Sequence, residues 1–137
     1  MKNSYYCVFN SKGAFLLRLA MAFVMLFAGI NKFTNGIPAF VDMMSQGFAE
    51  TFLPLFLVKI FFYIIPIAEI ILGLWLLSGQ YKKEALFATG ILFILFIFGF
   101  MVKGDMGSIP NHLIYLLTIA YAMDCNYDNE EHYKESF

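Results

Sequence analysis

Residues 55–77 read LFLVKIFFYIIPIAEIILGLWLL, and how this stretch is read decides the fold. A membrane-spanning helix needs about 20 consecutive, largely apolar residues, and this run supplies them. Its single acidic residue, Glu69, lies deep in the run. Insertion scales put a charge at a helix centre at roughly 2.5–3.5 kcal/mol unfavourable. Glu69 must therefore face the interior of a bundle, pair with a cation, line a water-filled cavity or carry a proton. Whatever the protein does is expected to pass close to this residue.

The composition agrees with a bilayer as solvent. Within 137 residues there is room for one domain. Hydrophobic residues make up 61% and charged residues 14%, too little polar surface to cover a soluble core. Seventeen Phe and eight Met suit lipid-facing and adaptable packing surfaces. A net charge of −1 leaves no electrostatic footprint for nucleic acid, which is excluded as a partner. Cys7 and Cys125 form no C-x-x-C pair, so neither zinc-ribbon nor dithiol spacing is present. They read as two separate thiols just outside the membrane. No metal site is expected, because the two histidines, His112 and His132, fall on opposite sides.

Three spans stand out, Ala14–Phe33, Leu55–Leu77 and Ala85–Val102, and a shorter fourth, Ile109–Met123, opens with Pro110, Asn111 and His112. Proline is tolerated in a first helical turn, where its missing N–H has no partner to lose. Ala20-Met21-Ala22 resembles a signal-cleavage triplet, but it sits inside the apolar run and Arg18 interrupts it, so the first span is expected to be retained. Residues 35–54 are too polar to cross. Within them Phe40, Met43, Met44, Gly47 and Phe48 form one apolar stripe with Asp42, Ser45, Gln46 and Ala49 outside it. The expectation is an all-α, integral-membrane, antiparallel four-helix bundle over residues 1–123, with a short helix flat at the interface between helices 1 and 2. Residues 124–137 are expected to be an acidic, solvated tail. Lys2, Lys12, Lys82, Lys83 and Lys134 fall on the side of the termini and Lys32, Lys59 and Lys103 opposite, which puts both termini in the cytoplasm by the positive-inside rule.

Two polar groups follow from these spans. At a rise of about 1.5 Å per residue, Glu69 lies ~12 Å and Arg18 ~6 Å in from the cytoplasmic side, within reach of a long guanidinium stem. Lys32 falls ~15 Å from Glu69 along the membrane normal on the same reckoning. Arg18–Glu69 is thus the expected pair, with Gly29 and Gly73 on the same faces letting the helices approach and leaving room for a ligand. The pair reads either as a structural lock on helix register or as a ligand-binding or proton-relay site. At the opposite surface Asn31, Lys32, Lys103, Asp105, Asn111 and His112 gather as a rim, either functional or simply interfacial. Trp75 reads as an interfacial anchor.

The order Arg18-Leu19-Ala20, then Gly29-Ile30-Asn31-Lys32-Phe33, then Glu69-Ile70-Ile71-Leu72-Gly73 and Ser78-Gly79 resembles the DoxX family of small bacterial membrane proteins over roughly Ala14 to Met123. The resemblance implies a four-helix bundle in a bacterial inner membrane serving redox chemistry, with Arg18, Lys32, Glu69 and Gly73 at the family's polar positions. Quinone is the ligand it implies, without a covalently bound cofactor. A membrane subunit of this kind carries no electron carrier of its own, so a protein partner must supply electrons. A non-enzymatic assembly protein docking a larger membrane complex is the alternative, and a transporter is a third, weaker reading.

Overall fold

The structure, a computed structural model, describes residues 11–135, with side chains described from 12 to 124. Cys7 and Lys2, and the side chains of Cys125, His132 and Lys134, lie outside the described residues. Among the described residues the chain is all-helical: α1 (Ser11–Thr34), α2 (Ile37–Gln46), α3 (Leu55–Ser78), α4 (Lys82–Lys103) and α5 (Ile109–Glu135). Three of these, α1, α3 and α4, are long and apolar enough to cross a membrane. Helix α5 begins where the fourth span was expected but continues unbroken past Met123, so no helix end marks the expected boundary between span and tail.

The breaks between helices are set by local chemistry. Helix α3 stops at Gly79, whose φ of 73° is the left-handed conformation that glycine adopts without strain. The Trp75 indole N–H donates to the Gln80 carbonyl at 3.0 Å, so this ring ties the end of α3 to the following turn. Helix α4 ends in a Schellman arrangement around Gly104 (φ 82°), with the N–H groups of Gly104 and Asp105 bonded to the Met101 and Phe100 carbonyls. Pro38 sits in the first turn of α2, where no N–H is required.

Packing is uneven around the molecule. Helix α1 packs most extensively on α3 and also meets α5; α4 packs on α5; α2 lies against α3; α3 and α4 touch only sparsely. The α1–α3 contact is close because two glycines permit it. A Cβ on Gly29 would come within 2.7 Å of Ile70 Cγ1 and 3.1 Å of the Pro66 carbonyl oxygen. One on Gly73 would meet Leu26 Cγ at 2.7 Å and its backbone N at 3.0 Å. Two apolar cores result: one around Met21, Met25, Leu76, Leu86 and Ile119, the other joining Val41 and Phe48 to Val58, Phe62 and Ile65. Outside them Phe27, Phe56, Ile64, Ile71, Phe87 and Leu117 are each more than half exposed, a surface suited to lipid rather than water.

The helix between the first two spans is present, but its buried stripe is rotated from the expected one. Val41 and Ser45 are buried and Met44 packs inward, whereas Met43 is 63% exposed. The inward residues Ile37, Val41, Met44, Ser45 and Phe48 still follow helical spacing. Ser45 can face inward because its hydroxyl donates back to the Asp42 carbonyl at 3.2 Å, which satisfies it locally.

Candidate functional site

Glu69 is buried, and its partner is Lys32 rather than Arg18. The Lys32 ammonium lies 2.7 Å from each carboxylate oxygen of Glu69, with Glu69's side chain 4% and Lys32's 19% exposed. The expected Arg18–Glu69 pair is therefore corrected, and the reason is helix register. Gly29 packs on Pro66 and Ile70, so Glu69 lies level with Gly29. Lys32 is then one turn away, ~5 Å, while Arg18 is ~16 Å away in the other direction. Placing both helices flush at one surface had displaced Lys32 too far from the acid.

Arg18 is buried at the far end of α1, where its guanidinium donates to the Leu76 carbonyl and lies against Gly79. Leu76 is in the last turn of α3, whose carbonyls have no helical partner, so a cation there satisfies an orphan acceptor and the helix dipole together. The Phe15 ring stacks 5.4 Å from the guanidinium carbon.

Lys32 and Glu69 form part of the wall of a cavity of about 440 Å³. Helix α1 contributes Met25, Ala28 and Lys32; α3 contributes Phe62, Ile65 and Glu69; α4 contributes Phe96, Gly99 and Lys103; α5 contributes His112 and Tyr115. Phe40 and Met44 of α2 and Phe48 after it cover one side. The Phe40 ring also sits 5.2 Å from the Lys32 ammonium, so α2 helps to hold the ion pair. The cavity opens where α3 and α4 diverge, as its lining residues Leu57, Leu95 and Phe98 are all at least 42% exposed.

His112 presents the other polar edge. Its Nδ1 lies 2.7 Å from the Ser108 carbonyl, which can only accept, so Nδ1 carries the proton and Nε2 is the ring's remaining polar atom. The Ser108 hydroxyl donates to Asp105 at 2.8 Å, which fixes the turn that delivers the histidine. Phe100, with ring centroids 4.8 Å apart, and Phe93 and Phe96, each at 5.8 Å, hold the imidazole among aromatic rings. Asn111 is exposed and lines no part of the cavity. Asn31 bonds to Asn35 at the surface. Among the described residues no group of three His, Cys, Asp or Glu side chains converges as a metal site would require.

Residues 10–107 match the sequence profile of the family described as methylamine utilisation protein MauE. The chain belongs to that family. Neither a curated protein nor a solved structure matches it. MauE membership overturns the resemblance to DoxX, a different family. The misleading pattern was an Arg, a Gly-x-x-Lys and a Glu-x-x-x-Gly in order. Close-packed membrane helices that bury an ion pair need small residues and opposite charges at such positions whatever their family. With its three long apolar helices, this MauE-family chain is a multi-pass membrane protein.

Of the residues singled out in the sequence, the structure thus joins Lys32, Glu69 and His112 around one cavity and uses Gly29 and Gly73 to bring α1 and α3 together. Arg18 and Asn111 lie elsewhere. The aromatic lining from Phe40, Phe62, Phe96 and Tyr115 was not singled out as a site, and only the unusual number of Phe hinted at it.

Proposed function

We propose that this chain is a membrane subunit that binds a lipophilic molecule with an oxygen-bearing head group, in the chemical range from quinone to lipid. The cavity carries the reading: it is apolar and aromatic along most of its wall, opens toward the lipid-facing side, and holds a few polar groups at one end. Sites for small molecules have this composition, with volumes of roughly 300–1,000 Å³. Methylamine itself, a one-carbon cation, would leave most of 440 Å³ empty and would have to displace Lys32 from Glu69. The family is described as methylamine utilisation protein MauE, which supports an accessory part in such a system: the ligand is held here, while a protein partner supplies any electrons.

In this reading α1, α3, α4 and the first half of α5 form a four-helix membrane bundle, with α2 at the interface covering the cavity. The distribution of lysines supports termini on the cytoplasmic side of a bacterial inner membrane.

The test is to titrate protein in lipid nanodiscs with decylubiquinone and with a fluorescent fatty-acid probe. A Cβ on Gly99 would meet only Phe48 Cζ, at 3.7 Å, so Gly99→Leu grows into the cavity without a clash at its base. Binding of at least one probe should weaken by more than about tenfold in Gly99→Leu, equivalent to ~1.4 kcal/mol. If neither probe binds, or both bind regardless of Gly99→Leu, the cavity is not the site. That outcome favours the second reading, a non-enzymatic assembly protein. The observation behind that reading is that Lys32 and Glu69 satisfy each other and can serve purely as a lock between α1 and α3.

A further inference from the structure

We infer that the ligand is a single-chain amphiphile with an anionic head group, held by Lys103 beside His112. The inference rests on the reading of the cavity as a binding site and narrows the chemistry it selects.

The cavity's charges do not balance. Lys32 and Glu69 cancel, and the ammonium spends two donors on the carboxylate oxygens at 2.7 Å and reaches the Ala28 carbonyl at 3.5 Å with the third. Lys103 remains. It lines the same cavity, and among the described residues its ammonium has no hydrogen bond or ion pair. The acidic residues at this end are otherwise engaged or turned away. Asp105 accepts from the Ser108 hydroxyl, Asp42 faces Lys59 at 3.7 Å, and Glu50 is exposed and lines no part of the cavity.

Lys103 is also held inward. A terminal lysine on a membrane helix usually extends its stem toward water, but this stem lies flat across Gly47, where even a Cβ would collide with its methylenes. Gly47 has an ordinary helical φ of −66°, so the glycine is there for space rather than for backbone conformation. His112 lines the cavity with Nδ1 already donating, which leaves Nε2 as an acceptor: it can take a hydrogen bond from a head group that still carries a proton, such as the P–OH of a phosphate monoester, while Lys103 meets the charged oxygen from α4. A carboxylate or phosphate ester matches a lone cation, because charge-assisted hydrogen bonds are roughly twice as strong as neutral ones. The remaining wall is hydrocarbon and aromatic, and its opening beside Leu57, Leu95 and Phe98 lets a tail longer than the cavity run out between α3 and α4. A volume of about 440 Å³ is in the range that holds one small ligand.

The experiment compares palmitate and hexadecyl phosphate with uncharged methyl palmitate, by calorimetry or probe displacement on the full chain in nanodiscs. At least one anion should bind about tenfold or more tighter than the ester, a difference a single charge-assisted bond can supply. Whichever anion is tighter identifies the head as carboxylate or phosphate. Lys103→Met keeps the stem over Gly47 and removes the charge, so it should erase the preference by lowering anion affinity to that of the ester. Equal binding of ester and anions by the wild type would overturn the anionic head while leaving the cavity reading intact. A preference that persists in Lys103→Met would overturn the role of Lys103. Anion binding unaffected by Gly99→Leu would place the amphiphile outside the cavity and overturn the proposal. The cavity reading itself falls only if decylubiquinone and the fatty-acid probe also fail to bind or ignore Gly99→Leu.

Discussion

Helix α1 carries two cations toward α3, a buried Arg18 and a part-buried Lys32, and they meet opposite fates. Lys32 finds a carboxylate in the helix interior, beside a cavity covered by α2. Arg18 finds a backbone carbonyl at the end of α3, beside the packed core of Met21, Leu76 and Leu86. The Arg18 end closes because α3 and α4 leave the same short turn there and α5 packs against both α1 and α4. Toward the Lys32 end the space between α3 and α4 is lined with rings instead of filled. The contrast teaches that a buried charge does not by itself make a binding site. The site is where charge and unfilled volume coincide.

The contrast breaks most severely if Lys32 is removed. Lys32→Met strands Glu69 in an apolar wall, and breaking a buried pair from one side costs about 3–5 kcal/mol. The partial exposure of Lys32 argues for the lower end, about 3 kcal/mol, read as a lowered unfolding midpoint in detergent. Lys32→Met combined with Glu69→Leu removes both charges and should recover most of that loss. A double variant no better than the single would show that the pair does more than neutralise itself.

The next largest effect falls on the glycine that sets the register. Gly29→Ala places a Cβ 3.1 Å from the Pro66 carbonyl and 3.2 Å from the Ile70 nitrogen, both backbone atoms that cannot swing aside. Overpacking of this kind costs about 1–3 kcal/mol. The same substitution pushes α1 from α3 at the level of Glu69, so the Lys32–Glu69 contact should lengthen as well. A fully stable Gly29→Ala protein would mean that the two helices do not pack in this register.

Much of this was legible in the sequence, and the failures have identifiable causes. Three long apolar runs gave the positions of α1, α3 and α4 to within a few residues, because bilayer thickness leaves few choices. That Glu69 needs a cation was also legible. Which cation was not, because the answer depends on the relative slide of two helices, and slide is set by the contacts of Gly29 and Gly73 rather than by where the apolar runs end. The stripe on α2 was misjudged for a related reason: Met43 and Ser45 exchange their expected places because Ser45 satisfies its hydroxyl on its own helix. The cavity had no signature in periodicity, since a void is made by how helices diverge. The family was misread because a charge-and-glycine pattern reports membrane packing more than ancestry.

The smallest effect sharpens the contrast from its quiet end. Arg18→Met removes a charge-assisted hydrogen bond to the Leu76 carbonyl, which taken alone would cost about 1.5–3 kcal/mol. Two terms offset that loss. Removing the arginine also removes the penalty for burying a cation, and the methionine keeps apolar contact with the core through its stem. The Leu76 carbonyl left behind is buried in the last turn of α3, so part of the loss remains. The net loss should be about 1 kcal/mol, and ligand affinity should not move, because Arg18 does not line the cavity. A loss as large as that of Lys32→Met, or any weakening of ligand binding in Arg18→Met, would mean that the two ends of α1 are energetically one unit. The distinction drawn between a packed cation and a cation beside a cavity would then fail.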